Sequence, residues 1–288
     1  MTKRGKQPVA SKIFLLCLGV WAMSEISGAM NQLGTKGSPP WVGKYPILVI
    51  AHRGFSGNAP ENTLTSFKKA MEVGSDVIEL DVHLSKEGEV VVIHDDTLDR
   101  TTNGKGKVVD YTLRELKQFD AGLWFGNQFS GERIPTLKEV LELARDRIRV
   151  NIELKRGDLG NYSVGDLANQ ALKEVQNMGM EEQVLFSSFD PSPLKRMREK
   201  NPRIQVALLY NKDWNSPEEI LEGSSFSILA CRKSVLNSSN ISKAHQKGIK
   251  VNVYTLNTEE EMEQFLKIGV DGIITDYPDR LIKVLQKR

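Results

Sequence analysis

The sequence predicts an α/β protein of the (β/α)8 barrel class. Three observations carry this prediction. Short apolar runs alternate with longer helical stretches, the alternation recurs eight times between Ile47 and Gln286, and charged side chains collect at the C-terminal ends of the apolar runs. Barrels of this class carry their chemistry on that rim, while branched apolar side chains fill the interior below it. A doubly wound open sheet is the alternative if the strand count is off by one or two.

The elements follow in order. A stretch rich in Gly and Pro, residues 30–46, reads as a linker. Strands are predicted at 47–52, 77–85 with a hairpin-like continuation at 90–94, 149–154, 183–187, 205–210, 226–230, 250–254 and 272–275. Helices are predicted at 63–73, 137–146, 164–178, 191–201, 217–222, 240–247, 258–268 and 277–286. Pro191 suits a first helical turn, Thr258 followed by acids at 259–261 suits an N-terminus, and Gly269 suits a stop.

The second strand is the most informative. Ile78, Leu80, Val82 and Leu84 turn to one face, and Glu79, Asp81 and His83 to the other. Two carboxylates buried side by side are unfavourable unless a cation or a proton compensates them. The third strand repeats the pattern, with Asn151, Glu153 and Lys155 on one face and Ile152 and Leu154 on the other. Glu79, Asp81 and Glu153 thus offer three hard oxygen ligands on neighbouring strands, a set that suits Mg²⁺ or Ca²⁺ better than Zn²⁺. The competing reading pairs each acid with a nearby cation, with Lys155 in that role for Glu153.

His52 and His94 each close a strand segment. An imidazole titrates near neutrality, so two of them beside a cation form a general acid/base pair for displacement at phosphorus. His83 either supports the site from behind or is structural. His245, within SKAHQKG, reads as a solvated surface residue.

Composition excludes some classes. The formal net charge is +2 and basic residues are interspersed with acids, so nothing points to nucleic acid. Residues 1–29 combine Lys3, Arg4, Lys6 and Lys12 with the apolar run IFLLCLGVWAM and small residues at Ser27 and Ala29. That is the pattern of a secretory signal peptide, with a membrane anchor as the alternative. The two readings predict a secreted or extracytoplasmic enzyme, or one that touches the membrane through this segment. Of the two cysteines, Cys17 lies in that segment and Cys231 ends an apolar run, where it reads as packing.

The blocks AHRGFSGNAPENT, IELDVHLSKEGEVVVIHDDTLDRTTNGKG, IPTLKEVLEL, NIELK, SSFD and VDGIITDYPD, in this order, resemble the glycerophosphodiester phosphodiesterase family over residues 47–285. The resemblance implies a TIM barrel with a small insertion after the second strand, about residues 96–133. It implies Ca²⁺ or Mg²⁺ on Glu79, Asp81 and Glu153, catalysis by His52 and His94, and phosphate contacts from Arg53 and Lys155. It also implies a small-molecule phosphodiester substrate, with sn-glycerol 3-phosphate and an alcohol such as choline or ethanolamine as products. Where family members often carry Trp near the end of the seventh strand, this chain has Tyr254, which keeps an aromatic wall, adds a hydroxyl and bears on headgroup or acyl preference.

Two other functions are weighed. A lysophospholipase D acting on membrane lysolipids would need an apolar rim; Leu123, Trp124, Phe125 and Phe129 in the insertion supply candidates, and packing on the barrel is the expectation for them. A binding protein that has lost catalysis would lack one of the histidines or carboxylates, and all are present.

Overall fold

Eight parallel strands close on themselves in the computed structural model, which describes residues 1–2, 41, 43–221 and 226–288. All but residues 1–2 of the leader read at 1–29, and most of the 30–46 linker, therefore fall outside the described residues. In chain order the strands are β1 (Leu48–Ala51), β2 (Val77–Leu84), β3 (Val90–Val92), β4 (Arg149–Leu154), β5 (Val184–Ser188), β6 (Gln205–Tyr210), β7 (Ile228–Arg232), β8 (Lys250–Tyr254) and β9 (Gly272–Thr275). Their order is β1-β9-β8-β7-β6-β5-β4-β2-β3, and a further β1–β2 pairing closes the ring. The protein is a TIM barrel, and the open-sheet alternative is excluded by that closure.

The described helices are α1 (Leu64–Glu72), α2 (Leu113–Leu116), α3 (Leu137–Ala144), α4 (Val164–Asn177), α5 (Pro191–Lys200), α6 (Pro217–Leu221), α7 (Ser238–Gln246), α8 (Glu259–Ile268) and α9 (Pro278–Gln286). Sequence-encoded caps set several starts: Thr63, Thr136, Ser163 and Asn237 each accept the amide three residues on, and the side chain there returns the bond. Gly269, at φ 87, stops α8 in a conformation that a Cβ would strain. Two predicted strands shift slightly: residues 226–230 become Ile228–Arg232, and 183–187 become Val184–Ser188.

The hairpin-like continuation is observed, with a shorter strand. Of residues 90–94, Val90–Val92 form β3, which turns back antiparallel on β2 with Val82 opposite Val92 and Leu84 opposite Val90. The last residues of β2, His83 and Leu84, run past its pairing with β4, and β3 descends beside them until the Ile93 amide donates to the Asp81 carbonyl at 3.0 Å. His94 thereby returns to the level of the β2 carboxylates. Between β3 and α3 the chain builds a small core of its own from Val91, Ile93, Leu98, Val108, Leu116 and Ile134.

The outer core lies between strands and helices, where Phe67, Leu80, Ile152, Phe186 and Leu281 are fully buried. Inside the barrel, the N-terminal end is filled by Leu48, Val77, Leu185, Ala207 and Ile228, with Trp41 packed against them and the Arg149 guanidinium over its ring. Among the described residues the lower barrel is thus a packed plug, and the opposite rim carries the open cleft.

Glu174 of α4 is a cost within this shell. One of its carboxylate oxygens is buried without a hydrogen-bond partner, and burial, reinforced by Glu89, pushes its pKa up to about 7. An acid with a raised folded pKa contributes its full stability below the unfolded value and loses it as pH rises through the folded one. Glu174→Gln is therefore expected to match the parent near pH 4.5 and to exceed it by roughly 1–2 kcal/mol at pH 8, after discounting for partial exposure. Urea unfolding at the two pH values checks this, and equal gains at both would contradict it.

Candidate active site

The rim at the C-terminal ends of the strands holds a cleft of about 240 Å³ lined by His52, Arg53, Glu79, His94, Glu153 and Lys155 on one side and Phe189, Leu209, Tyr254 and Ile274 on the other. Asn151 and Ser187 also line it. The structure brings together every sequence-predicted site residue that lines the cleft, and Asp81 lies against Arg53 and Lys155 behind it.

The register of β2 and β4 sets Glu79 beside Asn151 and Asp81 beside Glu153. One oxygen from each of Glu79, Asp81 and Glu153 lies within 4.8 Å of the others. Two cations stand among these acids. Arg53 Nε is 3.4 Å from Asp81, and Lys155 Nζ is 2.8 Å from Glu153 and 3.5 Å from Asp81. The competing reading of paired acids therefore holds in part, but two cations against three carboxylates leave Glu79 without one.

Electrostatics follow that shortage. Burial, then the neighbouring Asp81 charge, pushes Glu79 up to about 8. Burial also raises Glu153, with Asp81 adding to it. At Asp81 burial is outweighed by Lys155 and Arg53, which hold it well below the usual carboxylate range. The Oδ1 atoms of Asp81 and Asn151 are buried with no hydrogen-bond partner among the described residues. An all-oxygen donor set with unpartnered buried oxygens and an excess of acid fits a hard divalent cation.

The turn after β1 is built to serve this cluster. Arg53 has a left-handed φ of 55, and its amide donates to Glu79 Oε2 at 2.8 Å. Its carbonyl accepts from the Asn62 amide and the Ser66 hydroxyl, each at 3.0 Å. The Asn62 side chain in turn donates to Asp81 Oδ2 at 2.8 Å. A Cβ on Gly54 would meet the Ser66 Oγ at 2.4 Å, so the HRG sequence is the one that lets α1 approach this turn.

Both histidines are held by a carboxylate. His52 Nδ1 lies 2.6 Å from Asp276 Oδ1, and His94 Nδ1 lies 2.6 Å from Asp95 Oδ1. An ionised carboxylate can only accept, so Nδ1 carries the proton in each ring and Nε2 is the nitrogen left for the cleft. Asp276 is itself fixed by Asn257 Nδ2 at 2.6 Å and the Ser56 hydroxyl at 3.1 Å, and is held at about 2 against the effect of burial. The two rings differ in charge preference. Burial lowers His52, but the Asp276 hydrogen bond and the Glu79 charge outweigh it and the net shift is upward. Burial prevails at His94, and its pKa falls.

Other residues are placed as follows. His83 Nε2 donates to the His94 carbonyl at 3.1 Å, so this buried ring supports the backbone that carries His94. The Tyr254 hydroxyl lies 3.3 Å from the Tyr210 carbonyl, and the ring sits edge to face with Phe189. Its aromatic ring remains a wall, while the added hydroxyl is occupied. Leu123 and Trp124 are exposed, which corrects the expectation that they pack on the barrel; their aromatic neighbours Phe125 and Phe129 are partly covered. Cys231 is buried with its thiol pushed up to about 12 by burial, in keeping with packing. His245 pairs with Asp271 at the surface.

Sequence reasoning assigned no role to Asp276, Asp95, Glu61, Arg100 or Asn62. The available signals were adjacency for Asp95, which follows His94 directly, and a place at the end of the last strand for Asp276.

Comparison with known proteins points one way. The profile of the Glycerophosphoryl diester phosphodiesterase family matches residues 52–280. A glycerophosphodiester phosphodiesterase of Caldanaerobacter subterraneus is 44% identical over 242 residues, covering 83% of this chain and 98% of that one. Another, from Bacillus altitudinis, is 37% identical over 247 residues, covering 83% and 98%. The structure of an Oleispira antarctica phosphodiesterase in complex with the product sn-glycerol-3-phosphate superposes with a TM-score of 0.77 at 33% identity, covering 84% of this chain and 97% of that one.

Proposed function

Since the chain belongs to the glycerophosphoryl diester phosphodiesterase family and is a phosphoric diester hydrolase, we propose that it cleaves glycerophosphodiesters to sn-glycerol 3-phosphate and an alcohol by two-histidine acid/base catalysis beside Ca²⁺ or Mg²⁺. One observation carries the reading: two imidazoles, each anchored through Nδ1 by a carboxylate, line the cleft that also carries the acid cluster.

Glu79, Asp81 and Glu153 would hold the cation, which supplies charge neutralisation and polarisation at the phosphoryl oxygens when bound. Arg53 and Lys155, already poised between the acids, contact the phosphate and offset its charge. His94, whose environment favours the neutral ring, removes the proton from the attacking oxygen. His52, whose environment favours the charged ring, protonates the leaving alkoxide. Paired groups whose surroundings drive their pKa values apart are the usual source of such a division of roles. The apolar side of the cleft, with Phe189, Leu209 and Tyr254, borders the substrate away from the charges.

Purified protein assayed on glycerophosphocholine and on lysophosphatidylcholine, with EDTA and then Ca²⁺ or Mg²⁺ restored, tests this reading. Turnover of the small diester that follows the cation is expected. The exposed Leu123 and Trp124 are the feature that would serve a lysophospholipase D, and faster turnover of the lysolipid would favour that alternative. No turnover of either with both metals would refute the proposal. The proposal extends to place: residues 1–29 direct export, so N-terminal sequencing should give a start near Met30 outside the cytoplasm. A start at Met1 in a soluble cytoplasmic fraction would refute export, and one in the membrane fraction would favour an anchor.

A further inference from the structure

We propose that Arg100, carried on the segment between β3 and α3, is a positioning residue that fixes His94 and Arg53 relative to each other and so couples the proton-transfer group to the phosphate contact. The inference rests on the functional reading above, because it takes His94 and Arg53 as parts of one reaction centre.

The geometry is a continuous chain of charge-assisted bonds. Arg100 Nε donates to Asp95 Oδ2 at 2.7 Å and Nη2 to Asp95 Oδ1 at 3.1 Å. Its Nη1 and Nη2 also donate to Glu61, at 2.7 Å to Oε2 and 2.8 Å to Oε1. Asp95 Oδ1 is the atom that takes the His94 Nδ1 bond, and Glu61 Oε1 is the atom that takes Arg53 Nη1 at 2.8 Å. One guanidinium thus spans the two carboxylates that orient the two functional side chains. It stands outside the residues that line the cleft, so it acts through them rather than on substrate.

Only arginine fits this place. The planar fork engages two carboxylates bidentately at once, which a lysine ammonium cannot do. An ordinary exposed ion pair contributes little, and the Arg100 side chain is 43% exposed. What distinguishes this one is that Glu61 is only 11% exposed and would keep Arg53 as its sole ion-pair partner among the described residues if Arg100 were removed. Without the fork, Asp95 would lose the bonds that keep it turned toward His94, and the ring would lose its fixed tautomer and direction. A displacement of about 1 Å at a reacting group lowers rate by as much as 10²-fold.

The experiment compares Arg100→Ala and Arg100→Lys with the parent on glycerophosphocholine, records melting curves, and follows the low-field proton resonance of the His94 Nδ1–H bond, identified by its loss in His94→Gln. Expected is a fall in kcat of about 10- to 100-fold in both variants, larger than the rise in KM, with partial recovery of Arg100→Ala by millimolar guanidinium. The resonance should broaden or move in both. If Arg100→Ala does not fold, Arg100→Lys carries the test, since it keeps the charge and lacks the fork. Parent kcat with an unmoved resonance in a folded variant would overturn the proposal, as would a loss of Tm with kcat intact. A parent enzyme that turns over no diester, but whose resonance still depends on Arg100, would strike the functional reading and leave the coupling standing.

Discussion

Glu79→Gln and Asp81→Asn are each expected to reduce hydrolysis of glycerophosphocholine to below about one-thousandth of the parent kcat/KM, because each would remove an oxygen from the proposed cation site, whose charge stabilisation would contribute several kcal/mol in the transition state. The two variants should differ in stability. Glu79, pushed up to about 8, is protonated at pH 7 without a cation, so its amide replacement leaves the apo Tm unchanged or higher. Asp81 has a depressed pKa, so its contribution is present above the unfolded value and lost only as pH falls, and Asp81→Asn lowers the apo Tm at pH 7. The raised Glu79 also predicts that cation binding at pH 7 releases about one proton, visible in calorimetry as a heat that depends on buffer ionisation. Full activity of either variant in EDTA would sink the assignment of these acids to a metal.

His94→Ala and His52→Ala are each expected to lower kcat by about 10²–10⁴ with little change in KM, since the proposed proton transfers act in the transition state. The two losses separate by leaving group. A p-nitrophenyl phosphodiester departs without a proton, so His52→Ala should recover most of the parent rate on it, while His94→Ala stays impaired on both substrates. The reverse pattern would exchange the acid and base roles. A variant that changed KM alone would mark its histidine as a substrate contact.

The period-two pattern of β2 and β4 made the carboxylates legible in the sequence, because alternation along a strand fixes which side chains share a face. It could not reveal the partner of a strand. Residues 90–94 read as a hairpin-like return, but only the register across the turn at Gly88, φ 85, with Val82 opposite Val92, shows how far His94 descends towards the acids. The proposed division of roles between the histidines was out of reach for a different reason. It depends on Asp276, 224 residues from His52 in the chain, and on Glu79, with no local pattern linking the three. Tyr254 shows the same limit: the residue type announced a hydroxyl near the substrate, and the Tyr210 carbonyl already takes it. The bonds of Arg100 to Glu61 and Asp95 likewise join residues that no spacing in the sequence links.

Phosphorus NMR of purified protein with glycerophosphocholine, before and after cation is restored to a chelated sample, tests the central claim most directly. The account predicts that the diester resonance persists in EDTA and gives way to sn-glycerol 3-phosphate when Ca²⁺ or Mg²⁺ returns. Conversion at the full rate in EDTA, or phosphocholine as the product, would contradict it.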